Sequence, residues 1–489
     1  MALTENKTWQ FLQEHNLLNE LIKGYYGIEV EAHRTTITGE LSREPHPTNF
    51  GSRKFHPYMQ TDYSETQTEL VTEPATSFDE ARYRLQQLQW VLRDALQPSE
   101  NIWPISMPPK LSAADLEWLD TTFKRPWVSD YRDWLTDKYG STHAIMTGPH
   151  VNFSLSHVLV DALFEASPET DKVTFINQLY FKVGQAINAH RWLFIYLFGA
   201  SPYNFNDNDS RIPNDLRQPA RSIRSSQYGF SNDADIDLAY DETLDALFHK
   251  MNAYIDAGQL HSDHEFYGTV RFKGVGARAD VMTYGTQYLE IRVLDTDPFN
   301  PAGISDNALN LIQLLTMLFT VEDRKYTSKD MHAYAKLANE VALQAPDEPL
   351  PAALKAEAKD IVEAVSHLAE SFGMRFNDGM SLLAERILNP AKTPAAMLVA
   401  KAGDKASQLA WAVETAKQNQ EMFHVKQAAL ADEIFGDKDL MSTHIQALQL
   451  GLNVLAYSST ELKLKFNDHT EIVTQPTDLT QLFPEINNA

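Results

Sequence analysis

The strongest constraint on the fold is a set of short segments in which acidic and apolar side chains alternate. In Tyr26–His33 (YGIEVEAH), Glu29 and Glu31 stand two residues apart. Successive side chains of a β-strand point to opposite faces, so both carboxylates lie on one face and the apolar residues on the other. Like charges side by side on a sheet destabilise it. The segment therefore predicts a half-buried strand whose acidic face has a function that offsets this cost.

Three further segments show the same alternation. The polar residues that share a face are Glu65, Gln67 and Glu69 in QTDYSETQTELV (60–71), His150, Asn152 and Ser154 in GPHVNFSL (148–155), and Tyr288, Glu290 and Arg292 in YLEIRVL (288–294). Asp62 has the opposite parity to Glu69 and joins that face only if a turn or a β-bulge intervenes. One such strand is most simply a solvated sheet surface. Several together favour polar faces that line a common cavity, where carboxylates require cations between them.

The donor types predict which cations these are. Carboxylate oxygens with a single imidazole, that of His150, suit Mg²⁺ or Mn²⁺, and the absence of cysteine disfavours zinc. Three arginines also lie close together in RQPARSIRSSQYGF (217–230). Divalent cations in an acidic cavity, with arginines nearby, are groups that hold a nucleoside triphosphate and transfer its terminal phosphoryl group. The residues therefore predict metal-dependent phosphoryl transfer and leave the acceptor open.

Composition and charge exclude several classes of partner. The chain has 489 residues, with 66 acidic and 42 basic side chains and a formal net charge of −24. This balance argues against binding to nucleic acid or to an anionic membrane surface, because both require a basic patch. The N-terminal segment lacks the basic and apolar regions of a signal peptide, and the most apolar window (192–198) is far shorter than the roughly 20 residues of a membrane span. We therefore expect a cytoplasmic protein.

The pattern along the chain predicts an α+β fold with an antiparallel or mixed sheet. Strands are predicted near 26–32, 67–72, 147–154, 267–273 and 287–294, and helices near 78–97 and 172–198. From about residue 323 the sequence is rich in Ala, Leu, Glu and Lys with helical spacing up to about 456, followed by one strand candidate at 460–466. We therefore predict a catalytic core over 1–322 and a mostly helical C-terminal region over 323–489 that packs on the core.

Six separated segments together resemble the glutamate–cysteine ligase (γ-glutamylcysteine synthetase) family. They are GIEVEAHR, MQTDYSETQTELVT, NIWPISMPP, GPHVNFSL, SIRSSQYGF and YLEIRVLDTDPFNPAGI, in that family's order and spacing over about residues 20–330. The resemblance is closest to the ligase module of bacterial bifunctional glutathione-synthesising enzymes. It implies a glutamine-synthetase-like sheet that lines an active-site cavity, and the first step of glutathione biosynthesis.

The resemblance also implies a role for individual residues. The metal ligands it implies, for two or three Mg²⁺ or Mn²⁺ ions, are Glu29, Glu31, Asp62, Glu69, His150 and Glu290, with Glu117 as a looser match. Arg132 and Arg292 match arginines that face the transferring phosphate, and Arg224 matches the arginine that holds glutamate. The positions that match the cysteine pocket are Tyr63, Tyr131 and Phe230.

The activity implied is ATP-dependent joining of the γ-carboxylate of L-glutamate to the amine of L-cysteine through a γ-glutamyl phosphate, by a monomer or homodimer. Phe230 stands where the family usually has a tyrosine, which removes a hydroxyl from the acceptor pocket. A site that lacks one hydrogen-bonding group can accept other small amines. Two alternatives therefore stay open: a glutamate ligase with a different amine acceptor, and an inactive paralogue that binds its ligands as a regulator.

Overall fold

The chain folds as α+β, with antiparallel sheets and many helices. The computed structural model describes residues 3–488 except 52, 54–55, 123–124, 126–127, 208, 241, 437–438 and 459. The strands are β1 Tyr26–Thr36, β2 Met59–Thr61, β3 Gln67–Val71, β4 Glu100–Ile102, β5 Pro149–Phe153, β6 Val270–Lys273, β7 Tyr288–Ile291, β8 Asn453–Tyr457, β9 Leu462–Phe466 and β10 His469–Val473. The five predicted strands of the core are confirmed.

The helices connect these strands and form most of the C-terminal region. Those that precede residue 323 are α1 Lys7–Glu14, α2 Phe78–Ala95, α3 Ala113–Thr121, α4 Ser129–Tyr139, α5 Ser141–Ala144, α6 His157–Glu165, α7 Lys172–Ala189, α8 Arg191–Phe198, α9 Leu244–Asp256, α10 Arg278–Tyr284 and α11 Asp306–Val321. Those that follow are α12 Ser328–Leu343, α13 Ala352–Glu370, α14 Asn377–Leu388, α15 Pro394–Ala402, α16 Lys405–Phe435, α17 Met441–Leu450 and α18 Leu479–Leu482.

The larger sheet has two chemically different faces. Its strand order is β2-β3-β1-β5-β7-β6, with β4 paired to β1, and every pairing is antiparallel. One face is apolar: its fully buried residues include Ile28, Val151, Leu289, Ile291 and Val270. This face packs against α2 and α7, and α11 packs against both of these helices. The alternation in the sequence leaves the opposite face for the polar side chains.

The predicted helix at 172–198 is two helices. α7 ends at Ala189 and α8 begins at Arg191, with His190 between them. The His190 Nδ1 lies 2.8 Å from the Ala186 carbonyl oxygen, in the last turn of α7, and its ring stacks on Phe319 with centroids 4.8 Å apart. A side chain that bonds the last turn and packs on another helix ends α7 where periodicity alone predicts continuation.

The end of the C-terminal region differs from the prediction. Helix was predicted up to about residue 456, but α17 stops at Leu450 because Gly451 adopts a left-handed conformation with φ +74°. The strand candidate at 460–466 is confirmed as β9, the central strand of a small sheet of order β10-β9-β8. Residues on both sides of position 322 belong to one hydrophobic cluster. The division of the chain at that position stays a prediction.

No described helix combines the length and the apolar character that a bilayer crossing requires.

A buried ion pair beside β1 supports the end of the sheet. Arg34 Nη1 lies 2.6 Å from Glu100 Oε1, and both side chains are almost fully buried. Glu100→Gln would leave the guanidinium buried without its counter-charge, so we expect the free energy of unfolding to fall by about 3–5 kcal/mol. Urea unfolding followed by tryptophan fluorescence measures this.

The matched control for this prediction is Glu363→Gln, which removes a carboxylate from the exposed pair with Lys359 on α13. An exposed pair contributes roughly 0.3–0.5 kcal/mol. An equal fall in the free energy of unfolding in the two variants would contradict the prediction.

Candidate active site

The register of the larger sheet brings the predicted acidic side chains together on its polar face. β1 pairs with β5 so that Glu29 lies opposite His150, and with β3 so that Glu31 lies opposite Glu69. Residues directly opposite one another in an antiparallel pair point to the same side of the sheet. The period-two pattern of the sequence therefore places side chains that are about 120 residues apart in the chain next to one another.

His150 lies at the centre of this group. Its Nδ1 is 3.3 Å from Glu29 Oε2 and 3.4 Å from Glu290 Oε1, while its Nε2 is 3.9 Å from Glu31 Oε1. Ligand atoms of Glu29, His150 and Glu290 all lie within 4.8 Å of one another. Asn152, also on β5, donates a hydrogen bond to Glu29 Oε1 at 2.8 Å. The structure thus brings four of the predicted metal ligands within the reach of one or two ions.

Asp62 lies beside the acidic side chains because a turn separates it from the strand that carries Glu69, as the sequence pattern requires. β2 ends at Thr61 and β3 begins at Gln67, so Asp62 lies at the start of the connection between two paired strands. The Gln67 side chain donates to Asp62 Oδ2 at 3.2 Å and to Glu31 Oε2 at 3.3 Å. An amide that bridges the two carboxylates holds Asp62 beside the acidic face.

The electrostatic environment of Glu31 and Glu69 favours a bound cation. Burial, together with the charges of Asp62 and Glu69, raises the pKa of Glu31 well above its usual range. Burial, Asp62 and Glu29 raise the pKa of Glu69 to about 8. A divalent cation among these oxygens would reverse both shifts and displace the protons. His150 Nε2 is buried and has no hydrogen-bond partner among the described residues. Carboxylate oxygens with one imidazole nitrogen form a ligand set that fits Mg²⁺ or Mn²⁺.

Basic side chains surround Glu290, at the other side of the acidic group. Lys273 Nζ lies 3.0 Å from Glu290 Oε2, and Arg292 Nε lies 3.3 Å from Glu290 Oε1. Burial would raise the pKa of Glu290, but the charges of Arg292, Lys273 and Arg271 outweigh it and lower the pKa. The group therefore has an acidic half around Glu31 and a basic half around Arg292.

Two of the arginines predicted to contact substrate lie close to one aromatic ring. The Phe230 ring centroid is 5.5 Å from Arg224 Cζ and 5.2 Å from Arg292 Cζ. Arg224 is 1% exposed and donates to the Leu294 carbonyl oxygen at 2.9 Å. The Tyr267 ring packs on Phe230 with centroids 4.4 Å apart. These contacts hold both guanidinium groups in place before any substrate binds.

The third predicted arginine approaches from α4. Arg132 is 3% exposed and donates a hydrogen bond from Nε to the Tyr63 carbonyl oxygen at 3.3 Å. Its Cζ lies 4.8 Å from the centroid of the Tyr63 ring. The Tyr63 hydroxyl shares hydrogen bonds with Thr136 and Ser141, so its polar end lies among α4 and α5. Tyr131, one residue before Arg132, packs its ring 5.3 Å from that of His261.

A mostly apolar cavity of about 610 Å³ opens beside the carboxylate group. Glu29 and Asn152 line it together with Tyr288, and its walls include Phe153 and Val160. Pockets of this size and character hold small planar or drug-sized ligands. Because Glu29 belongs to both, a ligand in this cavity would extend directly into the acidic group.

Residues 9–257 and 242–341 match the family model described as glutamate-cysteine ligase. The chain belongs to this family. Among similar proteins are the glutathione biosynthesis bifunctional proteins of Streptococcus thermophilus, 33% identical over 476 residues, and of Pasteurella multocida, 29% identical over 479 residues. These matches cover 95% and 96% of this chain but 61% and 62% of the relatives, so the chain spans about three fifths of their length.

Two solved structures share the fold of this chain. A bifunctional glutathione synthetase from Pasteurella multocida superposes with a TM-score of 0.85 at 28% identity, covering 96% of this chain and 63% of that one. A glutamate–cysteine ligase from Francisella tularensis, in complex with AMP, superposes with a TM-score of 0.71 at 24% identity, covering 87% and 97%. The second likeness shows the shared fold alone.

The glutamate–cysteine ligase fold also brings in residues that the sequence interpretation missed. Arg271 and Lys273 alternate on β6, and Arg271 lies opposite Glu290 in the register. Their period of two was a usable signal, but basic residues at such spacing usually mark a solvated strand face. Tyr267 precedes β6, and no periodicity connects it to Phe230.

Glu117 is the predicted ligand with the least support in this ligase-family structure. It lies exposed on α3, where its carbonyl oxygen accepts a hydrogen bond from Thr121. Within the described part of the chain, the contacts of Glu117 do not connect it to His150 or to the clustered glutamates. Its role as a ligand stays a prediction, as do the roles of the other site residues.

Proposed function

We propose that this chain joins L-glutamate to L-cysteine at the expense of ATP, forming γ-glutamylcysteine, the first step of glutathione synthesis. The observation that carries the proposal is the meeting of Glu29, His150 and Glu290 on one sheet face, beside the buried Arg292, in a member of this family. We also propose that the polar face is the glutamine-synthetase-like wall of the active-site cavity.

The acidic half of the cavity would hold two or three Mg²⁺ or Mn²⁺ ions. Their proposed ligands are Glu29, Glu31, Asp62, Glu69, His150 and Glu290. Bound there, the ions would offset the charge of the ATP phosphates and of developing oxyanions. Without them, glutamate side chains with raised pKa values share a confined space with Asp62.

The apolar cavity beside Glu29 is the proposed site for the adenosine part of ATP. Its walls offer Phe153 and Tyr288 for contact with a planar ring, and Asn152 provides an amide near the carboxylates. A nucleotide placed there would point its phosphates towards the group around His150. Lys273, 3.0 Å from Glu290, then borders the path of the phosphate chain.

The basic half would act on the transferring phosphoryl group. A γ-carboxylate oxygen of glutamate attacks the γ-phosphorus of ATP, the bond to ADP breaks, and γ-glutamyl phosphate forms. Arg292 and Arg132 would stabilise the charge on the three equatorial oxygens, because preorganised guanidinium groups act without reorganisation at the moment of reaction. Their contacts with Glu290 and Tyr63 fix these two groups beforehand.

The second step would take place between Arg224 and the aromatic side chains. Arg224 would bind the α-carboxylate of glutamate, and Tyr63, Tyr131 and Phe230 would form the cysteine pocket. The amine nitrogen attacks the acyl carbon, loses a proton, and phosphate leaves as the amide bond forms. Aromatic walls exclude water and so protect the acyl phosphate from hydrolysis.

The test is release of phosphate from ATP in the presence of glutamate and a panel of amines, in Mg²⁺ and then in Mn²⁺. Cysteine should give a kcat/KM at least about tenfold above those of alanine, serine and 2-aminobutyrate. A better rate with another amine would favour the alternative acceptor. No phosphate release with any amine would favour the inactive paralogue. Whether the chain is a monomer or a homodimer stays a prediction.

Phe230→Tyr should restore a hydroxyl to the proposed cysteine pocket. One added hydrogen bond contributes about 0.5–1.5 kcal/mol, so the KM for cysteine should fall about 2- to 10-fold while the KM for ATP stays unchanged. The matched control is Phe299→Tyr, at a half-buried ring that packs on Trp411 away from the site. An equal change in the KM for cysteine in both variants would remove Phe230 from the pocket.

A further inference from the structure

A second cavity, of about 710 Å³, lies behind the segment that carries Arg224 and Phe230. Residues 225–228 line this cavity, whereas the neighbouring side chains of Arg224 and Phe230 contact Arg292 in the candidate active site. Its far walls come from the junction of α7 and α8 and from α12. Only Tyr267 among the site residues discussed above borders both spaces. No described residue lines both this cavity and the 610 Å³ cavity beside Glu29.

Arg191, the first residue of α8, lines this cavity. Its Nη2 donates to the Ser225 carbonyl oxygen at 2.8 Å, and its Nε is buried with no hydrogen-bond partner among the described residues. Burial lowers the pKa of Arg191 to about 10, and the other charges that act on it come from Tyr240 and Arg224. Within the described residues this guanidinium lacks a carboxylate partner, which is an expensive arrangement for a buried charge.

Most other ionic groups of the cavity are paired, and Lys336, exposed on α12, is the remaining cation that lines it. Arg211 lies 2.5 Å from Asp233, and His332 lies 3.2 Å from Asp237. The charges in each of these pairs offset one another, so the buried Arg191 and the exposed Lys336 are left to attract an anion. The remaining walls combine amides, such as those of Asn188 and Asn339, with apolar groups.

We propose that this cavity binds the carboxylate of a small organic molecule, of the size of an amino acid or a short peptide, through Arg191. A guanidinium fork matches a carboxylate with two parallel hydrogen bonds. Arg191 is the buried cation of the cavity, and one guanidinium balances one carboxylate. A cavity of this volume, with amide and apolar walls, suits the uncharged remainder of such a ligand. This inference does not depend on the proposed function.

The test is isothermal titration of the full chain with succinate, with N-acetylglycine and with inorganic phosphate, each in the absence of nucleotide. Ala335 is exposed on α12 and lines the cavity, so Ala335→Trp fills the space from its rim. Ala333 is exposed on the same helix and does not line the cavity, which makes Ala333→Trp the matched control. Arg191→Gln removes the charge, and thermal unfolding checks that it folds.

We expect at least one of the two carboxylates to bind the wild-type chain, and to bind at least about tenfold more weakly to Ala335→Trp and to Arg191→Gln. The Ala333→Trp variant should bind as the wild type does. Binding that Ala335→Trp leaves unchanged, but that Arg224→Lys abolishes, would place the carboxylate in the candidate active site and overturn the inference. So would binding of phosphate alone, or no binding of either carboxylate.

Discussion

Glu29→Gln should lower kcat for phosphate release by about 10³-fold while the protein stays folded. Glu29 borders both the carboxylate group and the apolar cavity, so it lies where the nucleotide phosphates and the cations would meet. Loss of one charged ligand removes several kcal/mol of charge stabilisation, and each 1.36 kcal/mol corresponds to a tenfold change in rate. Glutamine keeps the shape of the side chain and one oxygen acceptor.

For the same variant, Glu29→Gln, we expect no loss of thermal stability in the absence of metal. Glu29 raises the pKa of Glu69, so in the absence of metal the two carboxylates repel each other. Removing one charge relieves this repulsion, and the Tm measured in EDTA should stay the same or rise. The stabilisation that added Mg²⁺ gives to the wild-type chain should shrink in the variant, because binding to the folded state alone raises Tm. Scanning calorimetry with and without Mg²⁺ measures both effects.

The control for this prediction is Glu40→Gln. Glu40 is exposed just beyond the far end of β1, where it bonds Thr36. The substitution is chemically the same and lies outside the acidic face, so kcat should stay within about twofold of the wild type. A Glu29→Gln variant that keeps wild-type kcat, or that loses activity only in proportion to unfolding, would remove Glu29 from the metal site.

The acidic half of the site could be predicted from the sequence because a strand has a simple geometry. Period two fixes which side chains share a face, and the registers of β1 with β5 and with β3 place Glu29 opposite His150 and Glu31 opposite Glu69. A shift of one residue would send every charge into the apolar face, so the hydrophobic pattern itself selects the register. The sequence also required a turn next to Asp62, and the turn is present.

The basic half was harder to predict, because basic residues with a period of two, such as Arg271 and Lys273, usually mark a solvated strand face. Lys273 becomes a site residue only through the pairing of β6 with β7, which no local pattern specifies. Tyr267 reaches Phe230 from an irregular segment. In the same way, the break at His190 depends on Phe319, more than 120 residues away. Long-range contacts of this kind override local propensity, and a single sequence does not record them.

Arg292→Lys should lower kcat by about 10³-fold and leave the KM for ATP within about threefold of the wild type. Lysine keeps the positive charge next to Glu290 but loses the planar fork that can meet two phosphate oxygens at once. An arginine that faces a transferring phosphoryl group contributes about 10³–10⁵ to kcat, since the charge that it stabilises develops in the transition state. A loss of kcat with little change in KM is the signature of such an interaction.

The matched control is Arg278→Lys. Arg278 lies 5.0 Å above the Phe248 ring, as Arg292 lies 5.2 Å above that of Phe230, but it lies on α10 and bonds Asn252. Both substitutions weaken a guanidinium–aromatic contact, so a merely structural role would give similar effects on Tm and on rate. A kcat that falls only for Arg292→Lys, at equal Tm, assigns the group to the phosphoryl-transfer step. An equal fall in both variants would instead show that the Phe230 contact, and not the phosphate, is what Arg292 serves.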